Sequence, residues 1–288
     1  MTESIAFKGE LSLIIVTCDL YSDVLEVLLN KLTQLGILDA GFYNVIVASD
    51  RESSAVNYKK YGIKDVVYSE CWGGRLHKAA SIVNTDMCLV ILDDYIPYSS
   101  IDLDLLSELV SSMGEDVDCA YLSSVFKTVD GSSSKLIPGY YMLPENALYR
   151  VNTAAAIWRA SSLLKVIQYR DSPWEWEAFS GYRPAAKKMQ FFAPISPEYQ
   201  LYKYCYETGG NVYRGAWVND SLIKCGISID EVLQLSKRPV IYEIEGTKRS
   251  IVWKIKFLYT GFSMVGFNVL FFLVKSIQLK ISKLMAGR

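Results

Sequence analysis

Short apolar stretches alternate with amphipathic stretches along the first 123 residues of the chain. The apolar stretches hold six or seven residues and are rich in Val, Ile and Leu, which is typical of buried strands. The amphipathic stretches repeat apolar residues every three or four positions, which predicts helices. The predicted strands are 11–17, 43–49, 64–69, 87–92 and 117–123, and the predicted helices are 22–35, 54–62, 74–84 and 104–113. This alternation predicts an α/β fold with a doubly wound, mostly parallel sheet.

Polar residues follow several of the predicted strands at the point where each strand ends. They are Thr17–Cys18–Asp19, Ser49–Asp50, Ser69–Glu70 and Asp93–Asp94. Right-handed crossovers gather the carboxyl ends of parallel strands along one edge of a sheet. Because ligands of such sheets bind along that edge, the sequence predicts a binding site there.

Composition narrows the class of protein. Of the 288 residues, 51% are hydrophobic, which is enough for a sizeable core, and the net charge of -1 gives no general attraction to nucleic acid. The six cysteines form no C-x-x-C pair, which predicts reduced, mostly buried thiols in a cytosolic protein. The single histidine, His77, has no accompanying ligand cluster, so no zinc site is expected. The first residues lack the pattern of a secretory signal.

The stretch CLVILDDYIP places Asp93 and Asp94 side by side at the end of the fourth predicted strand. Adjacent carboxylates repel each other, and a divalent cation offsets that repulsion. Mg²⁺ or Mn²⁺ held there can bridge the phosphates of a nucleotide diphosphate and offset the charge of a leaving diphosphate. Neither glycine-rich phosphate-binding motif, G-x-x-x-x-G-K-[ST] or G-x-G-x-x-G, occurs in the chain. The alternative, that the pair caps the following turn, stays open.

These features resemble bacterial glycosyltransferases of the GT-A fold that assemble O-antigen and capsular polysaccharides. The resemblance rests on LSLIIVTCD, on WGGRLHKAASIVNTDMCLVILDDY and on YRVNTAAAIWRASSLLKVIQYRDSPWEWE, and it covers about residues 11–235. It implies a GT-A-like sheet with an acceptor-side α+β extension. It also implies a metal site, with Asp94 binding Mg²⁺ or Mn²⁺ and Asp93 nearer the donor sugar.

The same resemblance implies how the nucleotide is held. Asp50 would contact the nucleobase, Thr17 and Asp19 would line the nucleotide pocket, and Arg75 would approach the nucleotide or its diphosphate. The first-strand signature of the family continues into a proline and an asparagine, whereas this chain reads TCDLYSD. That departure leaves the roles of Cys18 and Asp19 open.

A second acidic site is predicted in the stretch DSPWEWEAFSG. Inverting sugar transfer needs one general base, and Asp or Glu can serve. Ser172 and Glu175 have the spacing of a helix N-cap and its capping-box glutamate, so Glu175 has a structural explanation. Glu177 projects from another face of the same helix. In the family that this chain resembles, the base follows a tryptophan by three positions, which favours Glu177 after Trp174 and keeps Glu175 as the rival.

Aromatic residues near this acidic site are candidates for binding sugar rings. Trp174 and Trp176 are predicted to stack on an acceptor, and packing in the core is the alternative for both. The tyrosines of 199–213 are predicted either to line an acceptor cleft or to fill an interface.

The C-terminal segment differs in composition from the rest of the chain. Residues 257–274 carry no charge, and after Lys248 there are seven Lys or Arg and no Asp or Glu. Eighteen uncharged residues reach the lower limit of a membrane span. A helix lying in the membrane interface and a helix buried in the enzyme are the alternatives. The basic residues favour contact with an anionic cytoplasmic leaflet.

The sequence therefore predicts a nucleotide-sugar-binding half (1–123), an acceptor-binding half of the same domain (124–246) and a membrane-associating segment (247–288). The predicted function is transfer of a sugar from a nucleotide-diphosphate donor to a hydroxyl of a lipid-linked saccharide at the cytoplasmic face of the bacterial inner membrane. Inversion is the predicted stereochemistry, and retention stays open. A sugar nucleotidyltransferase is one alternative, although that class carries a glycine-rich loop after the first strand. A non-catalytic, membrane-tethered carbohydrate-binding protein is the other.

Overall fold

The fold is built on an eight-stranded sheet with helices packed on both faces. A computed structural model describes residues 9–52, 56–123, 134–244 and 249–286, with side chains up to residue 282. The strands of this sheet are β1 Leu11–Val16, β2 Val45–Ser49, β3 Asp65–Tyr68, β4 Met87–Leu92, β5 Cys119–Tyr121, β6 Tyr140–Met142, β7 Ala156–Arg159 and β8 Phe191–Pro194. Their spatial order is β3-β2-β1-β4-β7-β5-β8-β6, and every strand except β7 and β6 runs in the same direction. The predicted mostly parallel sheet with helices on both faces is confirmed.

The helices follow the predicted amphipathic stretches closely. They are α1 Ser22–Gln34, α2 Trp72–Ser81, α3 Leu103–Ser112, α4 Ala160–Val166, α5 Pro173–Phe179, α6 Pro184–Lys187, α7 Asn219–Lys224, α8 Ile229–Leu235, α9 Ile251–Val265 and α10 Val269–Ala286. Within the described part of the helix predicted at 54–62, residues 56–62, there is a single 3-10 turn, Tyr58–Tyr61, which Gly62 ends in a left-handed conformation. Most of the loop that the Asp-Gly and serine run predicts at 127–135 lies outside the described residues.

The central strand β1 shows why the sheet positions a site at its edge. All six of its residues are buried, because alternate side chains enter the cores on opposite faces. Leu13 and Ile15 belong to one core, and Ile14 and Val16 belong to the other. Because β1 and β4 are parallel neighbours in register, Val16 lies beside Leu92, and the polar residues that follow both strands meet at the same edge.

A second, three-stranded sheet forms within residues 212–241. Its strands are β9 Val212–Tyr213, β10 Ala216–Val218 and β11 Val240–Ile241. Just before β11, the guanidinium of Arg238 lies 2.8 Å from the carboxylate of Asp23 on α1 and also donates to the carbonyl of Leu20. This partly buried ion pair fixes the segment before β11 against α1.

Two helices end the described chain. One helical stretch, Ile251–Ser282, is the part of the described chain that is long and apolar enough to cross a membrane by length and composition. It is not continuous, because Gly266 has a φ of +57° and a 3-10 turn at Gly266–Asn268 separates α9 from α10. The inner faces of these two helices form a small core with Ala178, Phe179 and Tyr182.

Candidate active site

A cavity of about 740 Å³ opens at the carboxyl ends of β1 and β4. Its size falls within the range of sites for small ligands. Its lining comprises Val16, Thr17, Cys18, Tyr21, Cys71, Trp72, Arg75, Leu92, Asp93, Asp94, Tyr95, Asn152, Thr153, Ala154, Arg170, Asp171, Ser172, Pro173, Trp174, Glu177, Tyr204, Tyr206 and Gly209. The cavity therefore brings together both acidic sites that the sequence predicts, although more than 80 residues separate them in the chain.

The aspartate pair lies at the floor of the cavity. The hydroxyl of Thr17 donates to Oδ2 of Asp93 at 2.5 Å, which joins the end of β1 to the end of β4. Within the described residues neither Asp93 nor Asp94 forms an ion pair. Burial raises the pKa of Asp93, and the Thr17 hydrogen bond offsets part of that shift. Burial and the neighbouring charge of Asp93 raise the pKa of Asp94 well above its ordinary value.

The pair has the oxygen ligands that Mg²⁺ and Mn²⁺ prefer. Within the described residues no group of three or more His, Cys, Asp or Glu is placed to hold a metal ion. Two carboxylates suit a magnesium-type site, which commonly takes one or two carboxylates and completes its shell with water and substrate phosphates.

Arg75 supplies positive charge beside this pair. One of its terminal nitrogens donates to the carbonyl of Thr17, which brings the guanidinium from α2 across to the end of β1. Its Nε atom is buried and has no hydrogen-bond partner in the described structure. A buried guanidinium N–H without an acceptor is costly, and a phosphate oxygen would satisfy it.

Asp19 and Asp50 lie beside the cavity rather than in its lining. Oδ1 of Asp50 accepts the backbone N–H of Asp19 at 2.6 Å, and Asp19 pairs with the exposed guanidinium of Arg51 at 2.8 Å. Hydrogen bonds from Asp19 and from Asp50's own backbone outweigh desolvation and lower the pKa of Asp50. Cys18 occupies the cavity wall between this pair and Asp93, where burial raises the pKa of its thiol.

Glu177 lines the same cavity as the aspartate pair. Its Oε1 accepts two hydrogen bonds from Thr153, one from the hydroxyl at 2.5 Å and one from the backbone N–H at 3.0 Å. The hydroxyl of Thr153 also lies 2.9 Å from that of Tyr95, just beyond the aspartate pair. Burial raises the pKa of Glu177, and both Thr153 hydrogen bonds lower it, so the net shift is upward. A carboxylate held in this way suits a general base near neutral pH.

The rival base, Glu175, is a capping residue. The hydroxyl of Ser172 donates to its Oε2 at 2.6 Å, and Ser172 also accepts the backbone N–H of Glu175 as the N-cap of α5. Pro173 occupies the first turn of the helix, where its missing N–H needs no partner. Glu175 is absent from the cavity lining, so the structure favours the structural interpretation of this residue and leaves Glu177 as the candidate base.

The two tryptophans of α5 have different surroundings, and the prediction for Trp176 is wrong. Its side chain is 2% exposed and its ring packs against those of Trp72 and Trp158, at centroid distances of 5.4 and 5.9 Å. It therefore belongs to the core and cannot stack on an acceptor. Trp174 is 70% exposed and lines the cavity, so its ring is available to a ligand.

Several residues of the site were not singled out from the sequence. Thr153 and Tyr95 position Glu177, and Arg170 lines the cavity with an exposed side chain. The run VNTAAA, with a small polar residue before a buried strand, was the signal for Thr153. Tyr204 and Tyr206 line the cavity, so that part of the tyrosine-rich stretch belongs to it. Tyr204 also stacks on Tyr95 at a centroid distance of 4.3 Å.

Close backbone contacts hold α2 and the loop before α5 together. Gly73 donates its backbone N–H to the carbonyl of Asp171, and a Cβ at Gly73 would lie only 2.0 Å from the carbonyl oxygen of Gln168. The Asp171 carboxylate forms a buried ion pair with Arg183, with a shortest distance of 2.6 Å. Gly210 also has no room for a side chain, because a Cβ there would lie 2.7 Å from the Asp94 carboxylate.

Comparison with known proteins finds similarity at the level of solved structures. The sequence matches no protein-family model and none of the curated proteins. S. aureus TarS is similar to this chain with a TM-score of 0.42 and 14% identity, over 65% of this chain and 37% of TarS. A TarS 1–349 fragment in complex with UDP-GlcNAc gives a TM-score of 0.42 and 15% identity, over 65% of this chain and 56% of the fragment. A nucleotidyl transferase from Methanothermobacter thermautotroptrophicus gives a TM-score of 0.41 and 12% identity, over 67% of this chain and 91% of the transferase.

The match thus spans less than two thirds of the TarS chains. Identities and TM-scores this low carry no argument about function. The case for a function rests on the cavity and on the residues that line it.

Proposed function

We propose that this protein is a glycosyltransferase that moves a sugar from a nucleotide-diphosphate donor to a hydroxyl of a saccharide acceptor. The observation that carries the proposal is the shared cavity, which the Asp93–Asp94 pair and Glu177 both line. Sugar transfer needs both elements, since one offsets the charge of the leaving diphosphate and the other removes the acceptor proton. With a single base available, the proposed transfer inverts the configuration of the sugar.

In this proposal the donor occupies the β1–β4 side of the cavity. Asp94, with Asp93, would hold Mg²⁺ or Mn²⁺, and that ion would offset negative charge on the leaving diphosphate. Arg75 offers its unpartnered Nε–H to a phosphate oxygen. Thr17 fixes the orientation of Asp93 through its hydroxyl.

The nucleobase end of the donor is proposed to lie beyond Cys18. The Asp50 carboxylate there is kept ionised by its backbone hydrogen bonds and is able to accept N–H groups of a base. Asp19 closes the same end of the site through its backbone bond to Asp50 and its ion pair with Arg51.

The acceptor is proposed to enter between Trp174 and Glu177. The exposed indole of Trp174 offers a flat apolar surface for the C–H face of a sugar ring. Glu177 then accepts the proton of the attacking hydroxyl. The hydroxyl and the backbone N–H of Thr153 donate to Oε1 of Glu177 and fix the orientation of its carboxylate. We propose a lipid-linked saccharide as the acceptor, and the cytoplasmic face of the bacterial inner membrane as the location, because the C-terminal helices present apolar and basic residues to the outside.

The experiment that tests this function is a thermal-shift screen of UDP-, GDP-, dTDP- and CMP-sugars with and without Mn²⁺. A ligand that binds the native state raises the melting temperature, so one nucleotide class should stabilise the protein, and more so with metal. Nucleoside triphosphates with sugar 1-phosphates form a second arm that detects nucleotidyl transfer. A flat response to every nucleotide would contradict the proposal and favour a non-catalytic carbohydrate-binding protein.

A further inference from the structure

The two C-terminal helices lie along the surface of the domain over the whole uncharged segment. Phe257 on α9 and Phe272 on α10 both pack on Phe179 of α5, at ring-centroid distances of 4.7 and 5.1 Å. Gly261, which lies between them in the chain, lets α9 approach Phe179 closely, because a Cβ at that position would lie 2.6 Å from the Phe179 ring. Successive turns of residues 257–272 therefore contact the folded domain.

Polar contacts hold the break between the helices to the same surface. The Lys187 ammonium donates to Oδ1 of Asn268 at 3.3 Å, and Nδ2 of Asn268 donates to the Tyr182 carbonyl at 3.4 Å. Lys187 also lies 5.5 Å from the centroid of the Phe271 ring. The polar residue in the middle of the apolar segment is thus satisfied by the protein.

The outer faces of both helices remain uncovered and apolar. Their exposed residues include Tyr259, Phe262, Phe267, Leu270, Phe271 and Val274, with Phe267 78% exposed. So many contiguous exposed apolar side chains mark an interaction surface. From Arg249 onward the chain carries seven Lys or Arg and no Asp or Glu. Pairing of two copies through this surface would bring like charges together, whereas an anionic bilayer complements it.

We infer that α9 and α10 form an in-plane anchor: their outer faces enter the headgroup–acyl boundary of one anionic leaflet, and neither helix crosses the bilayer. The fifteen residues of α9 span about 22 Å, which is less than the roughly 30 Å of the hydrocarbon core. A crossing at residues 257–272 would also carry the attached surface of α5, with its polar loops, into the hydrocarbon. An amphipathic pair lying on the surface avoids both costs.

This arrangement places the anchor beside the acceptor side of the cavity, an interpretation that rests on the proposed function. Phe179, which the anchor covers, follows the candidate base Glu177 by two residues on the same helix. Trp174 lies at the start of that helix and faces the cavity. An acceptor tethered to a lipid in the same leaflet then has a short path to Glu177.

The test is co-flotation of the full chain with vesicles of phosphatidylcholine alone or mixed with phosphatidylglycerol. We expect strong binding to the anionic vesicles and weak binding to the neutral ones. Changing three lysines of the anchor to Gln, namely Lys254, Lys256 and Lys280, should lower the partition coefficient of the chain on anionic vesicles about a hundredfold. The control variant changes three exposed lysines elsewhere to Gln, namely Lys59, Lys64 and Lys237. It removes the same charge and should leave the partition coefficient unchanged.

A second pair of variants tests the apolar face. Phe262, Phe267 and Phe271 changed to Ser should weaken flotation at least tenfold, because three exposed side chains no longer enter the leaflet. Leu136, Ile223 and Leu233 are exposed apolar residues far from the anchor in sequence, and their change to Ser is the matched control. Equal flotation of all variants would overturn the inference, as would anchor-dependent dimerisation of the chain in the absence of vesicles.

Topology separates an in-plane anchor from a span. A C-terminal tag on protein bound to sealed vesicles should stay fully accessible to external protease, and an alkaline carbonate wash should release the chain. A protected tag would overturn the inference. The donor screen is repeated on the anchor variants, and we expect their nucleotide response to be intact. Flotation without any nucleotide response would leave the anchor standing and contradict the proposed function alone.

Discussion

The two acidic sites of the cavity are both buried, yet the protein treats them differently. Asp93 accepts one side-chain hydrogen bond, from Thr17, and Asp94 lies next to its charge. Glu177 accepts two hydrogen bonds from Thr153 through a single oxygen. The backbone N–H of Asp94 also donates to Asp93, so Asp93 and Glu177 each have two donors, but the pair places two buried carboxylates side by side and forms no ion pair within the described residues. The difference fits the proposed roles, in which a ligand that brings positive charge completes the pair and Glu177 accepts a proton without one.

The most direct test of this difference between the two acidic sites is Glu177→Gln. Loss of a general base lowers turnover by about 10²–10⁴-fold, and donor binding should persist, because Glu177 is proposed to contact the acceptor rather than the donor. Turnover of nucleotide sugar and the nucleotide-induced melting shift are measured on the same preparation. Both effects follow from removing one ionisable oxygen while keeping the shape of the side chain.

Glu175→Gln is the matched control, two residues away on the same helix. Its carboxylate accepts from Ser172 and does not line the cavity, so turnover should change less than about threefold. If this variant were as inactive as Glu177→Gln, the assignment of the base to Glu177 would be wrong.

Asp94→Asn should produce opposite effects on activity and stability. Removing one charge of the pair should lower activity at least a hundredfold, remove the Mn²⁺ dependence of the melting shift and stabilise the metal-free fold by about 1–2 kcal/mol. The folded-state pKa of Asp94 is raised, so its ionised form costs stability as pH rises through that pKa, and the cost vanishes in acid.

The gain in melting temperature for Asp94→Asn without metal should therefore be larger at pH 8 than at pH 5. A variant less stable than the parent at pH 8 would mean that the Asp94 carboxylate is already compensated by the protein. Asp104→Asn, on the surface of α3, keeps the same chemical change away from the cavity and serves as the control.

Much of this comparison was predictable from sequence, because it depends on strand ends. The apolar run of β4 and its two aspartates fix the position of the pair, and alternation along the first 123 residues fixes the edge at which it lies. The capping role of Glu175 was equally readable from its spacing to Ser172. These features are local, and local spacing is what a sequence displays directly.

The supports of Glu177 were not predictable, because they come from distant segments. Thr153 lies 24 residues before Glu177, and Tyr95 lies 58 residues before Thr153, with no periodicity to connect them. Trp176 was misassigned for a related reason. Helical spacing separates its face from that of Trp174, but only the tertiary packing of Trp72 and Trp158 decides which face is the core.

The smallest expected effect is the most specific test of how Glu177 is held. Thr153→Val removes the hydroxyl donor and keeps the backbone N–H, so the ionised carboxylate loses part of its stabilisation. The pKa of Glu177, already raised by burial, should rise further, and the acid limb of the turnover–pH profile should move upward by somewhat less than about one unit. Thr153→Ser restores the hydroxyl and should restore the limb. A limb that stays in place in Thr153→Val, or moves equally in both variants, would show that another group titrates, and the asymmetry between Glu177 and the aspartate pair would then need a different cause.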